Sequence, residues 1–235
     1  MLKEGELYFN NDTSLNLNLY LEEYPVVPRA NEEYEKVPVD GRSGDLIINK
    51  GTYPDRTIPF TFTIVSNDIE VDFDRVEEWL TEIKDKRLFW GNSDKCFIVK
   101  KVNIGDFQQE FTTFGKSTIN FLCEPFRSDP DSIIYTITAS GFKFNYSGNI
   151  PAEPLIKVYG SGNIQLTING ETIQIDNVTN YVEIDSKLMQ FRNQDLTSKD
   201  NDALGDFPLF SKGENIINYT GSITKIIVEY TTKYR

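Results

Sequence analysis

The stretch DGRSGD, Asp40 to Asp45, sets two carboxylates and a guanidinium around two glycines. Backbone amides opened by Gly41 and Gly44 could converge with Arg42 on a phosphate, in the manner of an amide nest. It is not a P-loop, because no Gly-Lys-Ser/Thr ending follows and an alternating strand pattern comes next instead of a helix. The same residues read equally as a hairpin turn, since glycine takes positive φ without steric cost, or as a loop that meets another subunit. A second kind of chemistry needs paired carboxylates, and Glu22–Glu23, Glu32–Glu33 and Asp40–Asp45 are acids close together in sequence. A glycoside hydrolase must hold two such groups at a fixed separation across a cleft. Among 36 acidic residues, neighbours in loops read as solvated surface.

Other chemistries are excluded by composition. The chain of 235 residues has no histidine, which removes Ser–His–Asp and Cys–His catalysis and the usual catalytic zinc sites. Its two cysteines, Cys96 and Cys123, sit in apolar strand-like runs and read as buried thiols. The formal charge is −12, which argues against a protein that neutralises nucleic-acid phosphates. No stretch approaches the roughly 20 apolar residues of a membrane span, so no membrane insertion is expected. The start MLKEGELYFNNDT lacks the apolar core of a secretion signal. The expectation is no catalytic residue, no cofactor and no metal.

The elements that would position these residues are mostly strands. Leu15, Leu17, Leu19 and Leu21 recur at period two, and Ile58, Phe60, Phe62 and Ile64 share one face of Thr57–Ile64. PRANEEYEKVPV, bounded by Pro28 and Pro38, reads as a connection. In DFDRVEEWLTEIKDKRLFW the residues Phe73, Val76, Trp79, Leu80 and Ile83 form one helical stripe, predicting the only long helix, over about 72–86. Asp74 and Glu77 resemble a capping box there, with Lys84 and Lys86 at the C-terminal end. GDF at 105–107 and FGKS at 114–117 read as turns between strands, as does Gly91-Asn92. RSDPDS, Arg127 to Ser132, is the predicted boundary, giving domains 1–130 and 131–235.

Beyond it, short strands alternate with Gly and Asn-Gly turns. Asn169-Gly170 between Leu166, Ile168 and Ile173, Ile175 marks a hairpin, and the spacing predicts an antiparallel β-sandwich. The stretch NQDLTSKDNDALGDFPLFSKGEN reads as a long polar loop, and SITKIIVEYTTKYR as a final strand. Tyr135, Phe142, Phe144, Tyr146, Tyr159 and Tyr181 read as core, although an exposed row of them would stack on sugar rings. The fold class is therefore mainly β, with one long helix in the first half. Read this way, the chain suits a structural or interaction module better than an enzyme. The rivals are a carbohydrate-binding β-sandwich that contacts a cell wall and a carboxylate-based wall hydrolase.

Several stretches carry a resemblance. VPVDGRSGDL resembles a Val-Pro-Gly-Arg-x-Gly-x-Leu signature near the start of distal tail proteins of long-tailed bacteriophages, with Val39-Asp40 added before Gly41. Gly148-Asn149, Pro154, Gly160 and Asn169-Gly170 follow in the family order. So do Ile184-Asp185-Ser186, Gly205-Asp206-Phe207-Pro208, Gly213, Asn215 and Gly221. The resemblance implies a tail-tube-like first domain with one helix and an extended hairpin, then a galectin-like β-sandwich, in a compact form without an added arm. It implies a six-membered ring in the virion, at the tail tip, made in the host bacterial cytoplasm. The implied partners are further copies of itself, the tail tube protein, the baseplate hub or tail-fibre protein, the tape measure protein and the receptor-binding protein. DNA would pass through the ring without specific binding. On this reading Asp40, Gly41, Arg42, Gly44 and Asp45 are candidate inter-subunit contacts, with Arg42 and Asp45 as charge partners.

Overall fold

The computed structural model describes residues 4–111 and 113–235. It is mainly β, and the described residues contain one α-helix. They divide into two compact units, the residues up to Arg127 together with Arg235, and Ser128–Tyr234.

The first unit holds β1 (Leu7–Phe9), β2 (Asp12–Thr13), β3 (Leu19–Leu21), β4 (Tyr34–Val37), β5 (Leu46–Asn49) and β6 (Arg56–Val65). After helix α1 (Ile69–Thr81) come β7 (Arg87–Trp90), β8 (Cys96–Phe111) and β9 (Phe114–Ser128). The main sheet has the order β2-β1-β7-β8-β9-β6-β3, and β4 and β5 form a two-stranded sheet of their own. Strict alternation explains β6: Ile58, Phe60, Phe62 and Ile64 are buried, while Thr57 and Pro59 face outward. Helix α1 closes over this core with Ile69, Val76, Trp79 and Leu80 buried. The Trp79 indole N–H donates to the Phe9 carbonyl at 2.8 Å, fixing the helix to the first strand.

The helix starts and ends earlier than the predicted 72–86. Its N-cap is Asp68, whose carboxylate accepts from the Val71 amide at 3.4 Å. Ile69 extends the buried stripe by one turn, so Asp74 and Glu77 lie inside the helix and form no capping box. Lys84 and Lys86 lie past its last turn. Asn10 instead serves the C-terminal end, its Nδ2 donating to the carbonyls of Trp79 at 2.7 Å and Glu82 at 2.9 Å.

Three other expectations are corrected in this unit. The period-two leucines do not form one strand, because Ser14–Leu17 is a 3-10 turn closed by Asn18 at φ 57°. PRANEEYEKVPV is not only a connection, since Tyr34–Val37 is β4. Gly105–Phe107 and Phe114–Ser117 are not turns but lie within β8 and β9. A Cβ at Gly105 would sit 2.5 Å from the Thr118 carbonyl oxygen, so glycine is there for close strand approach.

The second unit contains β10 (Ile133–Ile137), β11 (Phe142–Tyr146), β12 (Leu155–Ile168), β13 (Glu171–Asp185), β14 (Gln190–Asn193), β15 (Ala203–Leu204) and β16 (Gly213–Tyr230). They form one seven-stranded sheet along β10-β16-β12-β13-β14, with β11 also on β16 and β15 on β13. β16 is the spine: Gly213–Ile217 pairs with β11, Ile226–Tyr230 with β10, and its other side with β12. The layers of this unit are thus parts of one continuous curled sheet. Asn169 and Gly170, at φ 54° and 95°, make the two-residue turn joining Ile168 to Glu171. The presumed polar loop after β14 contributes to the core: Phe210 is fully buried, and Phe207 stacks on Phe191 at 4.6 Å.

Candidate functional site

All five residues Asp40, Gly41, Arg42, Gly44 and Asp45 lie in the exposed connection between β4 and β5. Gly41 and Gly44 have φ of +77° and +85°, and a Cβ at either would meet open space. Backbone conformation therefore accounts for them. The Arg42 amide is already used, donating to the Val39 carbonyl at 3.1 Å. The hairpin below is fastened at its root: the Glu33 amide donates to Thr52 at 2.8 Å, and the Thr52 hydroxyl to the Glu33 carboxylate at 2.8 Å.

The hairpin's burial is unusual. Leu46, Ile47 and Ile48 are 42–50% exposed, and every residue of β5 is open to solvent. Cross-strand pairing puts Val37 with Leu46 and Glu35 with Ile48 on one face, Lys36 with Ile47 on the other. Both faces therefore carry apolar side chains. Two isolated strands are at best marginally stable in water, and apolar residues on both faces need a cover.

The motif residues of the second unit act as joints. Asn215 is fully buried. Its Nδ2 donates to the carbonyls of Ser211 at 2.8 Å and Gly213 at 2.9 Å, and its Oδ1 accepts from Asn169 Nδ2 at 2.8 Å. The Asn169 Oδ1 in turn accepts from the Ile216 amide at 3.0 Å, tying the Asn-Gly turn to β16. A Cβ at Gly160 would lie 2.3 Å from the Ser222 carbonyl oxygen, so β12 approaches β16 there only without a side chain. These residues hold backbone together and touch nothing that resembles a reaction centre.

Three carboxylates are held away from general-acid behaviour by their hydrogen bonds. Hydrogen bonds from Lys116 and Thr63 hold Glu22 below the usual carboxylate range. Those from Ser66 and Asn18 do the same for Asp72, and the Phe191 amide for Asp200. A general acid needs the opposite shift. Both cysteines are buried and unbridged. Burial pushes the Cys123 thiol up to about 12, against the pull of Arg56, which makes it inert. No group of three or more potential metal ligands occurs among the described residues.

The six aromatics of the second unit divide by face. Phe144 and Tyr146 are buried, and Tyr135 and Phe142 pack against them. Tyr159 and Tyr181 pair at 5.1 Å on the other face, with the Lys225 ammonium 4.3 Å from the Tyr159 ring. The large exposed apolar residues of this unit are aliphatic, among them Met189, Leu196 and Leu204.

A feature that the sequence does not announce lies in the first unit. β6 begins, β7 ends, β8 begins and β9 ends at one end of the sheet. With the segment at 27–31 they line a cavity of about 570 Å³. Arg56, Trp90, Phe97 and Arg127 come from the four strands or their immediate ends. Trp90 and Phe97 stack with centroids 5.5 Å apart and planes 9° from parallel. The Arg56 guanidinium lies 5.5 Å from the Phe97 centroid.

No family model matches this chain, and no curated protein matches it. Among solved structures it is similar to the SPP1 Dit protein, described as a paradigm of the hub adsorption apparatus in phages infecting Gram-positive hosts. The likeness has 13% identity and a TM-score of 0.67, over 98% of this chain and 99% of that one. At that identity the likeness bears on architecture, and it spans both units. The chain therefore has the fold of Dit, a phage distal tail protein.

Proposed function

We propose that this protein is a structural component of a phage tail tip, acting through protein–protein contacts and without catalysis. The observation that carries the reading is the fold match to SPP1 Dit along essentially the whole of both chains. Six copies form a ring through tail-tube-like first units. The ring joins the tail tube to the baseplate hub, tail fibre or receptor-binding proteins. The acidic surface lets DNA pass through the centre without adhering.

The β4–β5 hairpin is the element we assign to the inter-subunit contact. Its apolar faces are bare, and a neighbouring copy would cover them, burying each large aliphatic side chain for about 1.5–3 kcal/mol. Arg42 and Asp45 sit at its tip, placed to pair with charges on that neighbour. Sugar stacking finds less support, because the exposed apolar residues of the second unit are aliphatic.

Light scattering on a sizing column, with images of the same peak, tests the reading. Six chains of 27.0 kDa give about 162 kDa and a sixfold particle with an open centre. Arg42→Glu should shift the peak toward smaller species. A particle of any other symmetry would overturn the six-membered ring, and a ring unchanged by this substitution and by Ile48→Asp would remove the hairpin from the assembly.

A further inference from the structure

The cavity at the end of the first sheet has a composition at odds with the rest of the molecule. The chain carries 24 basic against 36 acidic residues, yet Arg29, Arg56, Lys95, Arg127 and Arg235 all line this one space. Arg56 is only 8% exposed. Its Nη1 donates to the Pro28 carbonyl at 3.0 Å, but its buried Nε and Nη2 have no hydrogen-bond partner. Asp55 is engaged with Lys100 at 2.7 Å, and the 86% exposed Asp94 at the rim pairs with Lys95 at 3.1 Å and feels the charge of Arg127, which leaves Arg56 without a counter-ion. Arg235 donates from Nη2 to the Ala30 carbonyl at 3.1 Å.

A guanidinium does not give up its proton in a protein. A buried charge without a counter-ion costs several kcal/mol, and here burial and the charges of Arg127 and Arg235 all disfavour the charged Arg56. An oxyanion seated in the cavity would offset the repulsion among the cations, and a shift of the Arg56 side chain toward it would let the idle N–H groups donate to it. The rest of the lining narrows the class of anion. Val27, Pro28, Ala30 and the Trp90–Phe97 stack present carbon, which a fully hydrated inorganic anion would leave wet. The volume lies within the usual range for small-molecule sites, about 300–1,000 Å³.

We propose that this cavity is a binding site for an organic carboxylate, with Arg56 as the buried anchor, Arg127 as a second cation and the Trp90–Phe97 stack as the apolar wall. The carboxylate comes either from Glu or Asp side chains on a protein segment or from a free di- or tricarboxylate. The site lies within the first unit and does not depend on the ring, so its test is independent of assembly.

The experiment is calorimetric titration and thermal melting of the full chain with citrate and, separately, with a hexaglutamate peptide. Sodium chloride and inorganic phosphate at matched ionic strength are the controls. Saturable binding of either carboxylate probe, with a rise in melting temperature beyond the salt controls, is the expected result. Peptide binding alone assigns the source to a protein segment, and citrate binding alone to a free carboxylate. Arg127→Gln should weaken binding about tenfold or more, and Arg56→Met should abolish it. Without ligand, Arg56→Met should melt no lower than the parent, because it removes a buried charge that has no counter-ion. Should that variant fail to fold, Arg127→Gln still decides. A response to phosphate equal to that of citrate, no response beyond matched salt, or binding unchanged in Arg127→Gln would each overturn the proposal.

Discussion

Two hairpins in this molecule obey the same local rules and end in opposite situations. β12 and β13 turn at Asn169-Gly170 and pair over most of their length, with Ile156, Val158, Leu166, Ile173, Ile175 and Val182 buried along them. β4 and β5 pair over four residues each, with glycines at positive φ in the connection, and bury almost nothing. Turn chemistry brings two strands together, but burial decides whether the pair stands alone. The first hairpin is part of a core, whereas the second has apolar faces that its own unit leaves bare.

The contrast can be broken hardest from inside the second unit. Phe210→Ala removes a fully buried ring that packs on Phe144 and Tyr230. It should cost about 3–5 kcal/mol, read from the urea midpoint. Gly160→Ala inserts a methyl group against the Ser222 carbonyl and should cost about 1–3 kcal/mol, as overpacking does. A smaller, stabilising change tests the turns: Leu196, 68% exposed, sits at φ +68°, so Leu196→Gly should gain about 1 kcal/mol. Ile48→Asp in the exposed hairpin should move the stability of the isolated chain by no more than about 0.5 kcal/mol while weakening assembly. A large loss of monomer stability in that variant would mean the hairpin is held by its own unit, and the contrast would fail.

The same contrast explains what could be read in advance. Alternation in Thr57–Ile64 and the Asn169-Gly170 turn were legible because both signals are local and agree with the burial they receive. The helix is legible in its stripe, but its start is not, since only the side chain of Asp68 marks it. β4 was hidden because Tyr34–Val37 has neither an apolar face nor a core beneath it. Phe207 and Phe210 were hidden by polar neighbours, in a segment whose partners lie far along the chain. The basic cavity was beyond reach for a similar reason. Arg56, Trp90, Phe97 and Arg127 are scattered over 72 positions and meet only because antiparallel strands bring alternate termini to one end of the sheet. A usable signal was there in principle: charged and aromatic residues at the outer ends of successive strands, where alternation stops.

β16 has a bearing on how the second unit comes into being. It is the last long strand of the unit to leave the ribosome, yet it lies between earlier ones, binding β12 on one side and β10 and β11 on the other. The β12–β13 hairpin can close as soon as it is made, because its contacts are local. β10 and β11 must wait roughly 80 residues for the strand they pair with, about 4–16 s at ordinary translation rates. During that interval their apolar sides have no sheet to join, so this half of the protein is completed in a single late step and not layer by layer.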